Sequence, residues 1–311
     1  MPVRRRRLRR RPRPPRFPWL ALVGVAIVIT VVWWGASALK RQFAGYFEQA
    51  RSPHAAAHPG ARPRAGAPQA VHTEAPVAPP LVGASGPLVQ PHPPRIAIII
   101  DDCGNNMPKD EQFLPLPATL TLAILPLSKH GRDIAQEAQT AGKAIMLHLP
   151  MQPVSSEHDP GPGAITTSMT DRQIAAQIEE DLASLPPVPG GNNHMGSKGT
   201  ADPRVMHDVL VEFKAKHLFF IDSETSNASL GAAMARELGV QTAARDVFLD
   251  NAVDEPSIEA QLRDAEKLAL AHGQVIAIGH PFPETAKAIA KLIPEIKAAG
   301  IELVAAETLV H

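Results

Sequence analysis

From residue 95 to the end, short apolar runs alternate with segments whose apolar positions recur every three or four residues. Ile96–Ile100 is an unbroken β-branched run, too short for a helix and suited to a strand buried on both faces. Thr119–Leu125, Ala144–Leu149, Leu218–Asp222, Val240–Ala244, Gln274–Gly279 and Ile301–Ala305 read the same way. Helical signals fill the intervals. Ser128 is placed to cap a helix that stops at Gly142, and Thr170 with Gln173 forms a capping box. Asp202-Pro203 opens a third helix. Helices over 228–238, 254–271 and 283–299 follow, the first and last stopped by Gly239 and Gly300. About seven apolar strands alternating with helices predict an α/β fold with a parallel sheet, closed or nearly closed into a distorted (β/α) barrel. An open doubly wound sheet is the alternative.

The first ninety-odd residues follow a different pattern. Residues 17–39 form a 23-residue stretch without a charge, and about 20 apolar residues cross a bilayer core. Trp19 stands near one end and Trp33 and Trp34 near the other, as interfacial aromatics do. A cleaved signal peptide would have a shorter apolar core, although Gly35–Ala38 imitates its cleavage site. We read 17–39 as a retained transmembrane helix and 1–16 as a basic cytoplasmic tail. Residues 51–94 hold 11 Pro and 10 Ala and few large apolar residues, so 40–94 reads as a disordered, extended tether. The folded domain is then 95–311, on the periplasmic or extracytoplasmic side of the inner membrane.

Charge sharpens that division. The formal net charge is zero, from 31 basic and 31 acidic residues. Residues 1–41 carry eleven basic side chains and no acid, which keeps that end in the cytoplasm. Residues 95–311 carry 17 Lys and Arg against 29 Asp and Glu, or −12. That sign excludes a nucleic-acid partner and weighs against anionic substrates. Cys103 is the sole cysteine, which excludes an intramolecular disulfide and a cysteine-based zinc ribbon.

In parallel α/β folds the chemistry collects where strands end. Strand one runs into Asp101-Asp102, and His148 lies late in strand three. Gly190–Ser197, read as a loop, contains Asn193 and His194. Asp222 ends another strand, Arg245-Asp246 follows the next, and His280 ends the strand from Gln274. Two adjacent carboxylates need compensation, which a divalent cation supplies. The bland alternatives are a helix cap for the acids, a core role for His148, a surface loop for His194 and a loop cap for His280. One carboxylate and two imidazoles suit an open zinc-type site for amide or ester hydrolysis. The chain has no G-x-S-x-G, Walker A or G-x-G-x-x-G motif and no D-x-D at 101–103.

The segments IAIIIDDCG, IMLHLPMQP, GGNNHMGS, FFIDSETS, RDVFLDN and IGHP together resemble the divergent polysaccharide deacetylases, over residues 94–309. The resemblance implies a metal-dependent deacetylase, a hydrolase of C–N bonds other than peptide bonds, acting on an acetylated glycan or cell-wall substrate. It implies Asp101 as base and His280 as acid, with Asp102, His148 and His194 as ligands of a divalent metal, zinc foremost. Asp222 and Arg245 would orient the base and acid, and Asn193 and Asp246 would orient groups or bind substrate. His148 is followed four residues on by Gln152, and His194 by Lys198, so two segments must supply the histidines that the better-known branch takes from one H-x-x-x-H motif. The only tyrosine, Tyr46, lies outside the domain, which predicts a groove without the usual aromatics. A catalytically inactive glycan-binding or envelope-organising module is the alternative.

Overall fold

The computed structural model describes residues 92–311. The expected membrane helix at 17–39 and most of the tether lie outside them. Among the described residues, no helix is long and apolar enough to cross a membrane.

The sheet has nine strands rather than about seven. They are β1 (Arg95–Cys103), β2 (Thr121–Ile124), β3 (Ala144–Met151), β4 (Gly190–Met195), β5 (Phe219–Asp222), β6 (Thr242–Ala244), β7 (Val247–Phe248), β8 (Gln274–Gly279) and β9 (Glu302–Val304). The order is β6-β5-β4-β3-β2-β1-β8-β7, all parallel, and β9 pairs with the first residues of β1. Edge strands β6 and β7 are separated in the chain by two residues only, Arg245 and Asp246. The Arg245 amide donates to Asp222 O on β5 and the Asp246 amide to Ile276 O on β8. Those two bonds bring the sheet edges together, yet no ladder joins β6 to β7. The sheet is therefore a curled half-barrel with a seam.

The helices are α1 (Met107–Asp110), α2 (Gly131–Thr140), α3 (Asp171–Ala183), α4 (Pro203–Ala215), α5 (Gly231–Leu238), α6 (Glu255–His272) and α7 (Pro283–Ala298). The Thr170–Gln173 capping box forms, and Asp202 caps α4 by accepting from the Arg204 and Val205 amides. Ser128 does not cap α2. Its hydroxyl donates to Leu125 O at 2.7 Å, and the helix starts at Gly131 after His130.

Strand alternation sorts the core into two faces. Ile96, Ile98 and Ile100 of β1 point outward to the helices and join the larger apolar cluster. Ala97 and Ile99 point inward and join a smaller one with Ala123, Met146, Ile221, Ala243, Ile276 and Ile278. Ala306 and Leu309, in a closing 3-10 turn, complete that inner core. Truncating one such fully buried Ile or Leu to Ala costs about 2–5 kcal/mol. The inner rows set the site: continued by two residues each, they arrive at Asp101, His148, Ser223 and His280.

Candidate metal centre

One irregularity in β1 lets two neighbouring acids share a centre. Ile100 pairs with Leu122 and Cys103 with Ile124, so three steps on β1 oppose two on β2. This β-bulge re-aims the strand end. Asp102 takes φ +59°, a left-handed conformation uncommon outside glycine. A regular strand would send consecutive side chains to opposite faces. The bulge instead brings Asp102 to the same mouth as Asp101.

Gly190–Met195 is a strand rather than the expected loop. Its register pairs His148 with Asn192 and Pro150 with His194. Asn192 and His194, two residues apart, thus lie beside His148. Gly191 permits the close approach of β4 to β3, since a Cβ there would stand 2.5 Å from Leu147 O.

Three donor atoms meet. His194 Nδ1 lies 2.8 Å from Asp102 Oδ1, His148 Nε2 lies 3.2 Å from the same oxygen, and the two ring nitrogens are 3.1 Å apart. Ligands held at about 2.0–2.1 Å in tetrahedral directions stand roughly 3.3 Å from one another, so these spacings fit one zinc-sized ion. Asn192 supplies a chemical argument as well. Its Nδ2 donates to Asp101 Oδ1 at 2.8 Å and to Ser223 Oγ at 3.0 Å, leaving Oδ1 to accept from His148 Nδ1 at 2.7 Å. With its proton on Nδ1, a neutral His148 ring turns the lone pair of Nε2 towards a carboxylate oxygen and a second imidazole. A cation at that point resolves the repulsion, and a hydrogen bond to the distal ring nitrogen is how proteins orient metal-binding histidines. Among the described residues, Asp102, His148 and His194 are the one group of three with metal-ligand spacing.

The flanking groups differ in protonation. Asp101 is buried, and burial pushes its carboxyl above the ordinary range against the opposing pull of His148 and His280. Burial also works to raise Asp102; without an ion, ring protons of His148 and His194 stand in its place, and their hydrogen bonds prevail and hold Asp102 well below the usual carboxylate range. For His280 burial favours the neutral ring, yet Asp250 outweighs it and raises the pKa to about 9. Asp250 Oδ1 accepts from His280 Nδ1 at 2.9 Å, while its Oδ2 accepts from the His280 amide at 2.6 Å and Thr285 Oγ1 at 2.9 Å. His280 Nε2 is left pointing into the mouth, 4.0 Å from Asp102 Oδ2.

The structure therefore brings together Asp101, Asp102, His148, His194 and His280, and sets the remaining four expected residues apart. Asp222 lies one step out of the inward row. Its Oδ2 accepts from the Ala232 amide at 3.0 Å and Ser229 Oγ at 2.7 Å, and its Oδ1 from the Glu224 amide, so it fixes the start of α5. Asn193 accepts from the Ser223 amide and donates to Met195 O, bracing the loop after β5. Arg245 donates from Nε to Ser223 O at 2.8 Å and from Nη2 to Glu224 O at 3.2 Å, without a bond to Asp101. Asp246 is bonded to the Ile276 amide at 2.7 Å, nearer the start of β8 than its end, and faces solvent instead of the site. Sequence reasoning missed Asn192, Ser223 and Asp250. Period-two counting along β4 and β5 identifies the first two, whereas Asp250 sits in irregular chain and carries no such signal. The aromatic-free groove also needs correction. Phe248 and Phe282 flank His280, with ring centroids 5.3 Å and 6.0 Å from its own.

The chain belongs to the divergent polysaccharide deacetylase family, whose model matches residues 98–310. It is similar to an uncharacterised protein of Haemophilus influenzae, 36% identical over 61% of this chain and 68% of the relative. It is also similar to the uncharacterised protein YibQ of Escherichia coli K12, 33% identical over 70% of this chain and 67% of that protein. The crystal structure of an uncharacterised protein from Agrobacterium tumefaciens superposes with a TM-score of 0.68 at 26% identity, covering 74% of this chain and 92% of the other.

Proposed function

We propose that this protein is a membrane-anchored, metal-dependent deacetylase that removes acetyl groups from an amino-sugar glycan of the cell envelope. The observation that carries the reading is the convergence of Asp102, His148 and His194 donor atoms, 2.8–3.2 Å apart, between a buried carboxylate and an Asp250-paired imidazole. Asp102, His148 and His194 would hold the ion, with zinc fitting the donor set. A bound ion of this kind lowers the pKa of water and polarises a carbonyl.

The chain's own groups supply the proton movements. Asp101, made more basic by burial, accepts the proton of the attacking water while Asn192 holds its Oδ1 in place. The water oxygen bonds to the acetyl carbon, and the C–N bond then breaks. His280, protonated at neutral pH with a pKa of about 9, gives its Nε2 proton to the departing amine. Acetate and the free amino sugar result. A base and an acid held apart in pKa by their surroundings are what such a sequence requires.

The apolar span 17–39 and the eleven basic residues of 1–41 support an inner-membrane anchor with the domain outside the cytoplasm. The test is metal content and acetate release of the full-length chain beside Asp102→Ala, on acetylated amino-sugar oligomers with zinc added. Zinc at one equivalent with turnover, both lost in Asp102→Ala, is expected. Equal and negligible zinc in both proteins overturns the reading. Glycan binding without acetate release by the zinc-loaded protein instead supports the non-catalytic module.

A further inference from the structure

Five side chains form a continuous row across the mouth: Lys109, Phe282, His280, Phe248 and Arg245. Lys109 Nζ stands 5.8 Å from the Phe282 ring centroid, and the Arg245 guanidinium carbon 5.2 Å from that of Phe248. The two phenyl rings bracket His280. A cation therefore sits two ring spacings from the proposed acid on each side, held over an aromatic face within cation–π range.

Five of the domain's 17 cations are paired with carboxylates, whereas Lys109 and Arg245 are held over phenyl faces beside His280. Arg204 pairs with Asp208, Lys216 with Glu179, Lys267 with Asp264, Lys291 with Glu259, and Arg263 with Glu259 and Glu295. Lys109 and Arg245 have no carboxylate within 4.0 Å among the described residues, although acids outnumber bases by 29 to 17 in the domain. Among the described residues, Lys109 Nζ makes no hydrogen bond, and Arg245 bonds only to the Ser223 and Glu224 carbonyls. Both are half-buried, so each has given up part of its hydration without gaining an anionic partner. Carboxylate-bearing ligands restore that partner and add charge-assisted hydrogen bonds.

We propose that Lys109 and Arg245 are specificity residues that recognise carboxylates on the sugars next to the one being deacetylated, so that the substrate is an acidic amino-sugar glycan. This rests on the deacetylase reading for the reaction but not for the binding. It also reverses, at the mouth, what the domain's net charge of −12 implies for anionic substrates. The phenyl faces of Phe282 and Phe248 would pack against the sugar rings between the two cations.

The test compares an oligomer of alternating N-acetylglucosamine and N-acetylmuramic acid with the same oligomer after its carboxylates are amidated. Binding to the full-length chain is measured by calorimetry, and acetate release in parallel. Wild type should bind the carboxylated form roughly tenfold tighter, and Lys109→Gln should lose about fivefold of that preference, near the upper end for one partly exposed charge pair. Binding of the amidated form should not change, and the effect should appear in KM rather than kcat. Lys109→Glu should abolish the preference. Equal binding of both oligomers by the wild type, or a preference that survives Lys109→Glu, overturns the proposal. A charge-dependent preference without acetate release from either oligomer sustains this proposal and overturns the deacetylase reading alone.

Discussion

A single amide joins the proposed base to a proposed ligand: Asn192 Nδ2 donates to Asp101 Oδ1 at 2.8 Å while Asn192 Oδ1 accepts from His148 Nδ1 at 2.7 Å. Asn192→Asp keeps the acceptor for His148 and replaces the donor with a second carboxylate oxygen. Two acids then face each other, and the Asp101 pKa rises further. The acid limb of the kcat/KM profile should move to higher pH, with near-native circular dichroism. Asn192→Ala frees the His148 ring and should weaken zinc binding roughly 10- to 100-fold, as loss of such outer contacts does. A zinc competition titration reads this directly, and unchanged affinity would remove Asn192 from the site.

The second prediction concerns the opposite proton. Asp250 is the leading cause that raises His280 to about 9. Asp250→Asn removes the charge but keeps an acceptor, so the His280 pKa should fall towards the ordinary imidazole value near 6.5. The alkaline limb of the profile should then shift to lower pH. His280→Gln should reduce kcat by about 10²- to 10⁴-fold, the range for a general acid, with zinc content intact. A profile that keeps its alkaline limb in Asp250→Asn would disconnect the pair from the reaction.

The inward face of the barrel was legible in the sequence once strands were assumed. Ala97-Ile99-Asp101 and Ile276-Ile278-His280 are period-two rows that end on charged groups, and strand-end chemistry singled them out. Asp222 shows the limit of that rule. It ends β5, but the row Phe219-Ile221 points inward and continues to Ser223, so Asp222 must face the helices. Gly190–Met195 looked like a loop because glycine and asparagine are poor strand formers. Tertiary contact overrode that preference: Gly191 allows the tight packing on Leu147, and Asn192 completes its bonds only between His148 and Asp101. The bulge at Asp101–Asp102 could not be read in advance, because it depends on the register between β1 and β2.

Asp181 gives a stability prediction independent of the site. It lies fully buried on α3, and its Oδ1 accepts from Gln177 Nε2 at 3.1 Å while Oδ2 has no partner among the described residues. Burial raises its pKa from 3.8 to about 7. Between those values the unfolded chain is ionised and the folded one protonated, so the folded state binds more protons. Stability contributed by this group therefore falls as pH rises from about 4 to 7 and stays low above it. Asp181→Asn should remove that slope and stabilise the domain at pH 8, by an amount on the order of 2 kcal/mol once the unpartnered amide is allowed for. Urea unfolding at pH 4, 6 and 8 measures it, and a parallel wild-type slope in the variant would contradict the assignment.

Asp222 separates scaffold from chemistry. Its carboxylate accepts three hydrogen bonds, from the Glu224 and Ala232 amides and the Ser229 hydroxyl, and it is buried. Asp222→Ala strands all three donors beside α5 and should cost roughly 2–5 kcal/mol of stability. The loop it fixes carries Ser223, which receives a hydrogen bond from Asn192, so an indirect effect on rate is expected through loosened geometry. The pKa values read from the rate profile should nevertheless stay in place, since Asp222 bonds to none of Asp101, His148 and His280. A thermal melt and a pH–rate profile on the same preparation distinguish the two roles. A shifted profile with native stability would make Asp222 an orienting group for the base or the acid, and would overturn its assignment here as a helix-anchoring residue.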